Sequence, residues 1–186
     1  MAKKSKATKR APARGKATAS ARPPAKKVSA VPAGYHTVTP YLTVHDGAGA
    51  LEFYTRALGA REVMRMDAPG GKIGHAEFRI GGSVVMLSDE FPGTSTKAPT
   101  SLGGTTGSIM LYVPNVDASF KKAMDAGCKS IMAPTDMFWG DRFGKLEDPY
   151  GNQWGMATHK EDVPPKQMAE RAKAAMAAMA QGKGNA

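Results

Sequence analysis

The chain has 186 residues, 41% of them hydrophobic, and 26 Lys and Arg against 16 Asp and Glu give it a net charge of +10. That length and apolar content suit one domain with extensions. No apolar run is long enough to span a bilayer and no charged-then-apolar signal segment opens the chain, so a cytoplasmic protein with no membrane partner is expected. The charge is concentrated rather than spread: residues 1–36 hold ten cations and no acid, and the rest of the chain carries sixteen of each sign.

Taken from the start, residues 1–35 are rich in Lys, Ala and Pro and nearly free of large apolar side chains. Such a segment has too little surface to bury to offset the entropy of ordering it, which predicts a disordered basic tail. Residues 3–27 then form an arm that attracts polyanions through counterion release, with little sequence preference. A solubilising extension and an organelle transit segment stand as the other readings of the same composition.

The body of the chain repeats itself. Thr39–Asp46 is a short strand-like run, followed by a helical pattern in which Ala50, Phe53, Tyr54, Ala57 and Leu58 recur at three- and four-residue spacing before Gly59. An alternating hairpin follows over Gly74–Leu87. About seventy residues later the order recurs, with a run at Ser108–Asn115 and a helix N-capped by Asp117 and striped by Phe120, Ala123 and Met124 before Gly127. A second hairpin follows, from Trp139 to Trp154. Each unit reads strand, helix, strand, strand, strand. Between them lies a Gly-, Thr- and Ser-rich linker, residues 89–107, of a length that crosses between modules or folds over a site. Beyond the second unit, Pro164–Pro165 opens a helix with Met168, Ala172, Ala175, Met176 and Met179 on one face, which must pack against the domain or a second subunit.

The motifs Thr39-Pro-Tyr-Leu-x-Val-x-Asp46, Phe53-Tyr54, Trp139-Gly-Asp-Arg142 and Asp148-Pro-x-Gly-Asn-x-Trp154 make residues 36–160 resemble the vicinal oxygen chelate superfamily. This is the glyoxalase, bleomycin-resistance and dioxygenase group, and the resemblance is to its PhnB-like branch. It implies an α+β fold of two tandem βαβββ modules forming a cupped mixed sheet, with module one at 36–88 and module two at 108–160. Residues 161–186 form a C-terminal helix and tail. The resemblance and the long linker together imply a homodimer in which modules of two chains complete each cup.

In metal-dependent members, His, Gln or Glu side chains from the first and last strands of each module hold a divalent cation. Aligned on the motifs above, those positions fall at Thr39, Val85, Ser108 and Gly155, none of which is a credible transition-metal ligand. No cofactor is therefore expected, and a divalent metal only if the ligand positions have moved. His75 and Glu77, two apart on one strand face, are the fragment from which a relocated metal site or an acid–base pair would be built. Strand alternation places Tyr41, Val85, Met110, Tyr112 and Gln153 along the cup. Trp139 in its Gly-rich loop either covers the mouth or packs in the core. Arg142 either grips a ligand carboxylate or phosphate or pairs with Asp141, Glu147 or Asp148. Cys128 has no nucleophile motif around it.

The reading favoured on these grounds is a metal-free protein that binds a small organic molecule, acting by sequestration. Two others stand beside it: a glyoxalase-like lyase or isomerase, and a dimeric DNA-associated protein working through its basic arm.

Overall fold

The computed structural model describes residues 28–182. The basic arm at 3–27 lies outside the described residues, as does the end of the C-terminal tail. Strands β1 (Tyr41–Val44), β2 (Arg61–Ala68), β3 (Lys72–Ile80) and β4 (Ser83–Asp89) form one four-stranded sheet in the order β1-β4-β3-β2. Strands β5 (Ser108–Tyr112), β6 (Lys129–Asp136), β7 (Asp141–Glu147) and β8 (Gln153–His159) form the second, in the matching order β5-β8-β7-β6. Helix α1 (Gly47–Leu58) follows β1, and α3 (Val116–Ala126) follows β5. The pairs β1 with β4 and β5 with β8 are parallel, and the rest are antiparallel. The two βαβββ modules expected from the repeat are present.

Local chemistry accounts for the helix limits. The Asp46 side chain accepts from Gly49 N at the start of α1, and Gly59 ends it in the left-handed region at φ 68°, where a side chain is strained. In α3 the N-cap is Asn115, accepting from Ala118 N, and not Asp117. Both residue types cap well; Asp117 stands two residues further on in the first turn, where its carboxylate is taken up by Arg142.

The core lies between the helices and the inner face of each sheet. Phe53, Tyr54 and Ala57 from α1 meet Phe78, Val85 and Leu87, while Phe120 and Ala123 from α3 meet Leu146, Trp154 and Met156. Each large apolar side chain buried this way is worth about 1.5–3 kcal/mol. Helices α1 and α3 also pack on each other, so the core runs continuously through both modules.

A buried polar hub joins the same parts. Asp148 Oδ2 accepts from the Tyr54 hydroxyl of α1 (2.8 Å), Trp154 Nε1 (2.9 Å) and Asn152 Nδ2 (3.3 Å), and its Oδ1 accepts from the backbone N–H groups of Tyr150 and Asn152 (2.9 Å each). Burial pushes this carboxyl above its ordinary range against the pull of its donors. Cys128 is buried nearby, its thiol pushed up to about 12 by the same desolvation, which leaves it unreactive.

The outer strands end the sheets. The edge strand β6 contains Pro134 and two register shifts, and β2, an edge strand of the first sheet, has two as well. In the linker, Pro99–Leu102 forms a single helical turn, α2, with Pro99 buried against Gly151. The C-terminal helix α4 (Pro165–Ala180) forms as expected but buries no residue among those described, and Met176 and Met179 are exposed. Arg171 ties it to Glu161 by a two-pronged contact.

Candidate functional site: the open faces of the two sheets

Because each helix covers one face of its sheet, the opposite face of each is open. Residues paired across neighbouring strands share a face, so the register defines both surfaces. In module one a row runs Tyr41, Met86, Glu77, Met64 across β1, β4, β3 and β2. In module two the matching row is Met110, Gly155, Lys145, Met132 across β5, β8, β7 and β6. Tyr41, Met110 and Tyr112 are 50%, 42% and 65% exposed, unusually open for residues of their size in ordered strands.

Two of the sequence assignments fall on the wrong face. Val85 is 3% exposed and belongs to the core, because Tyr41 pairs with Met86 and not with its neighbour. Tyr41 corresponds to Met110 and Met86 to Gly155, an offset of sixty-nine residues, and the alignment that gave Val85 was one residue too long. Arg142 also faces the helix side. Gln153 pairs with Glu147, so the turn occupies Asp148–Asn152, one residue more than a four-residue turn allows, and the parity of β7 reverses. Arg142 therefore reaches α3, where Nε and Nη2 fork onto Asp117 at 2.8 Å each and Nη1 contacts Asp136 at 3.3 Å. These carboxylates raise its pKa further, and the guanidinium is engaged with the protein itself rather than facing the cup.

Of the remaining assigned residues, Tyr41, Met110, Tyr112 and Gln153 lie on the open faces. Trp139 lies at the rim of the second face, edge-on to Phe143 at 6.0 Å, with its Nε1 donating to Asp141 at 3.1 Å. His75 and Glu77 lie on the first face in the same row system as Tyr41. Two residues that strand alternation did not assign are Phe143 and Lys145, brought to the second face by the same longer turn. Gly155 makes room for Met110 and Phe143: a Cβ there would sit 2.8 Å from the Met110 sulfur and 2.9 Å from the Phe143 ring.

Each face carries one polar cluster. On the first, the Tyr35 hydroxyl donates to Glu77 Oε2, Glu77 Oε1 lies 3.4 Å from His75 Nε2, and His75 Nδ1 lies 3.0 Å from the Tyr41 hydroxyl. On the second, the 4%-exposed Asp141 accepts from the Tyr112 hydroxyl at 3.1 Å and from Trp139, and its other oxygen meets His159 Nδ1 at 2.7 Å. Asp162 contacts the far nitrogen of that ring at 3.0 Å. The two carboxylates raise the His159 pKa above its ordinary value, Asp141 being the larger cause.

Two βαβββ modules packed helix to helix, each presenting an open sheet face, define the paired-βαβββ class. A family model for the glyoxalase/bleomycin resistance protein/dioxygenase superfamily matches residues 34–156, and the chain belongs to that superfamily. An uncharacterized protein from Mycobacterium tuberculosis is 43% identical over 129 residues, covering 68% of this chain and 76% of that one. Among solved structures, TioX from Micromonospora sp. ML1 is 29% identical with a TM-score of 0.54, covering 65% of this chain and 96% of its own. The PhnB protein from Bacillus cereus shares the fold at 21% identity and a TM-score of 0.50, over 66% and 98% of the two chains.

Membership raises the question of a divalent metal. With the register corrected, the positions equivalent to the family's ligands are Thr39, Met86, Ser108 and Gly155. These offer two hydroxyls, a weakly coordinating thioether and no side chain at all. Among the described residues no group of three or more His, Cys, Asp or Glu side chains is arranged to hold an ion. His75 and Glu77 are each already bonded to a tyrosine. These residues do not fit a metal of the family's kind. Among the described residues, no helix is long and apolar enough to cross a membrane.

Proposed function

We propose that this is a metal-free, PhnB-like small-molecule-binding protein of the cytoplasm. It works as a homodimer in which the open face of module one in one copy meets that of module two in the other. The observation that carries this reading is the pair of open faces: apolar and aromatic side chains with a few convergent polar groups, the make-up of a ligand pocket once two such surfaces enclose a space. Lys145 and Glu77 occupy equivalent positions in the two rows, so a closed cup would offer one cation and one anion from opposite walls. Sequestration requires nothing more than this binding surface. Because Arg142 is engaged with Asp117, charge recognition of a ligand falls to Lys145 instead.

Native mass spectrometry of the full-length protein as purified tests the reading. A dimer without bound metal supports it, and one divalent ion per cup overturns it. The composition of residues 3–27 supports an additional, non-specific contact with nucleic acid. Deleting residues 2–34 abolishes low-salt binding if that arm is responsible, and retained affinity rejects it.

A further inference from the structure

Glu77 is 5% exposed, yet it stands on a face whose other members are open, with Met64 38% and Tyr41 50% exposed. What buries it is the chain just before β1. Residues 31–40 contain no strand or helix and no buried residue, and they lie on the sheet face as a strap. Side-chain bonds tie the strap to β3. Arg79 Nη2 donates to the Gly34 carbonyl at 3.1 Å, and the Tyr35 hydroxyl donates to Glu77. A turn closed by Tyr35 N to the Pro32 carbonyl at 3.2 Å aims the phenol inward.

We propose that Glu77, with His75 and Tyr41 beside it, is a subsite for the hydroxyl of a phenolic or enolic ligand, and that Tyr35 occupies it as a built-in stand-in. The inference rests on the reading of this face as a ligand-binding surface and names the chemistry that surface selects. The Tyr35 phenol shows which group fits. Its O–H meets one carboxylate oxygen in a charge-assisted bond, while the imidazole of His75 flanks the other oxygen. Met64 and Met86, paired with Glu77 from the strands on either side, supply polarizable walls for a planar ring. A ligand carboxylate or phosphate would meet the Glu77 charge, so neutral acidic hydroxyls are favoured over anions. The same carboxylate holds the Tyr35 phenol above its ordinary pKa, as it would any protonated phenol placed there. Among the described residues the strap is tied by Met86 N to the Pro40 carbonyl at its β1 end and by the Arg79 and Tyr35 contacts, so the Tyr35 end can lift while the root stays fixed, and its tethered phenol competes with free ligand as an intramolecular rival.

The test uses the full-length protein with 2-naphthol as the hydroxylated probe and naphthalene as its apolar control, each titrated by its own fluorescence. Circular dichroism confirms that every variant is folded. Tyr35→Ala removes the rival, and 2-naphthol is expected to bind about tenfold tighter than to the wild type. Adding Glu77→Gln to that variant should lower the preference for 2-naphthol over naphthalene by about tenfold, the value of exchanging a charge-assisted bond for a neutral one. If Tyr35→Ala fails to tighten 2-naphthol, Tyr35 is not a stand-in. If Glu77→Gln leaves the preference unchanged, the subsite is overturned, while binding of both probes leaves the face itself a binding surface. Failure of both probes to bind any variant overturns the subsite and the binding reading together.

Discussion

Asp148 ties the two modules together, and Asp148→Asn removes only its charge and one acceptor while keeping its shape. The wild-type carboxylate receives five N–H or O–H donors and is 4% exposed. An amide has one oxygen. If that oxygen keeps the backbone donors of Tyr150 and Asn152, the new NH2 faces the Trp154 indole N–H and the Asn152 side-chain NH2, donor against donor. Tyr54 can turn its hydroxyl to accept instead, but Trp154 cannot. Each buried donor left unpaired costs about 1–3 kcal/mol. Relief of the buried charge, whose desolvation already pushes Asp148 upward, returns part of that. The expected net loss is about 2–4 kcal/mol, a large share of the roughly 5–15 kcal/mol that holds a typical domain together. Urea unfolding followed by tryptophan fluorescence reads it as a lower midpoint at unchanged slope. Tyr54→Phe alone should cost about 1 kcal/mol, and the double variant less than the sum of the two because the groups share one network. A loss below about 0.5 kcal/mol for Asp148→Asn would refute the view that the hub carries stability.

Gly144→Ala should cost about 1–3 kcal/mol by thermal unfolding, since its Cβ would stand 3.0 Å from the Phe120 ring and 3.1 Å from the Pro134 backbone nitrogen, and the backbone has little room to yield. Arg142→Lys should lower the melting temperature by losing the two-pronged contact with Asp117 while leaving ligand affinity unchanged; a loss of affinity would return Arg142 to the binding surface. His159 has a raised folded pKa, so its contribution is fully present below its ordinary value of 6.5 and is lost as pH rises through the folded value. His159→Gln should therefore flatten the stability profile in that window and nowhere lower. Glu90 titrates the other way. Contacts with Ser101, the Ala98 N–H and Lys97 hold it down to about 2, so its contribution is present above 4.5 and is lost as pH falls toward 2. Glu90→Gln should remove that acid-side loss in a denaturation series.

The duplicated modules, both hairpins and the Gly59 end of α1 were legible in the sequence because they depend on local signals: apolar period and turn glycine. What was lost was parity. The β3–β4 turn is the pair Gly81–Gly82, but the β7–β8 turn wraps five residues around the Asp148 carboxylate, and no composition signal counts them. One residue of slip was enough to place Val85 in the cup and Arg142 beside it, when both face the helices. The Asn115 cap was missed because Asp117 is an equally good capping type two residues away. Tyr35 meeting Glu77 and Tyr54 meeting Asp148 are invisible to any local reading, since the partners are 42 and 94 residues apart.

The proline within β6 has an effect beyond its own strand. A sheet that ends in a strand lacking one backbone donor and interrupted by register shifts is a poor template for a neighbour's strand. Exposed methionines and tyrosines on the open faces would otherwise make this chain a candidate for runaway cross-β stacking when concentrated. With that border blunted, open-ended growth of the second sheet through β6 is disfavoured.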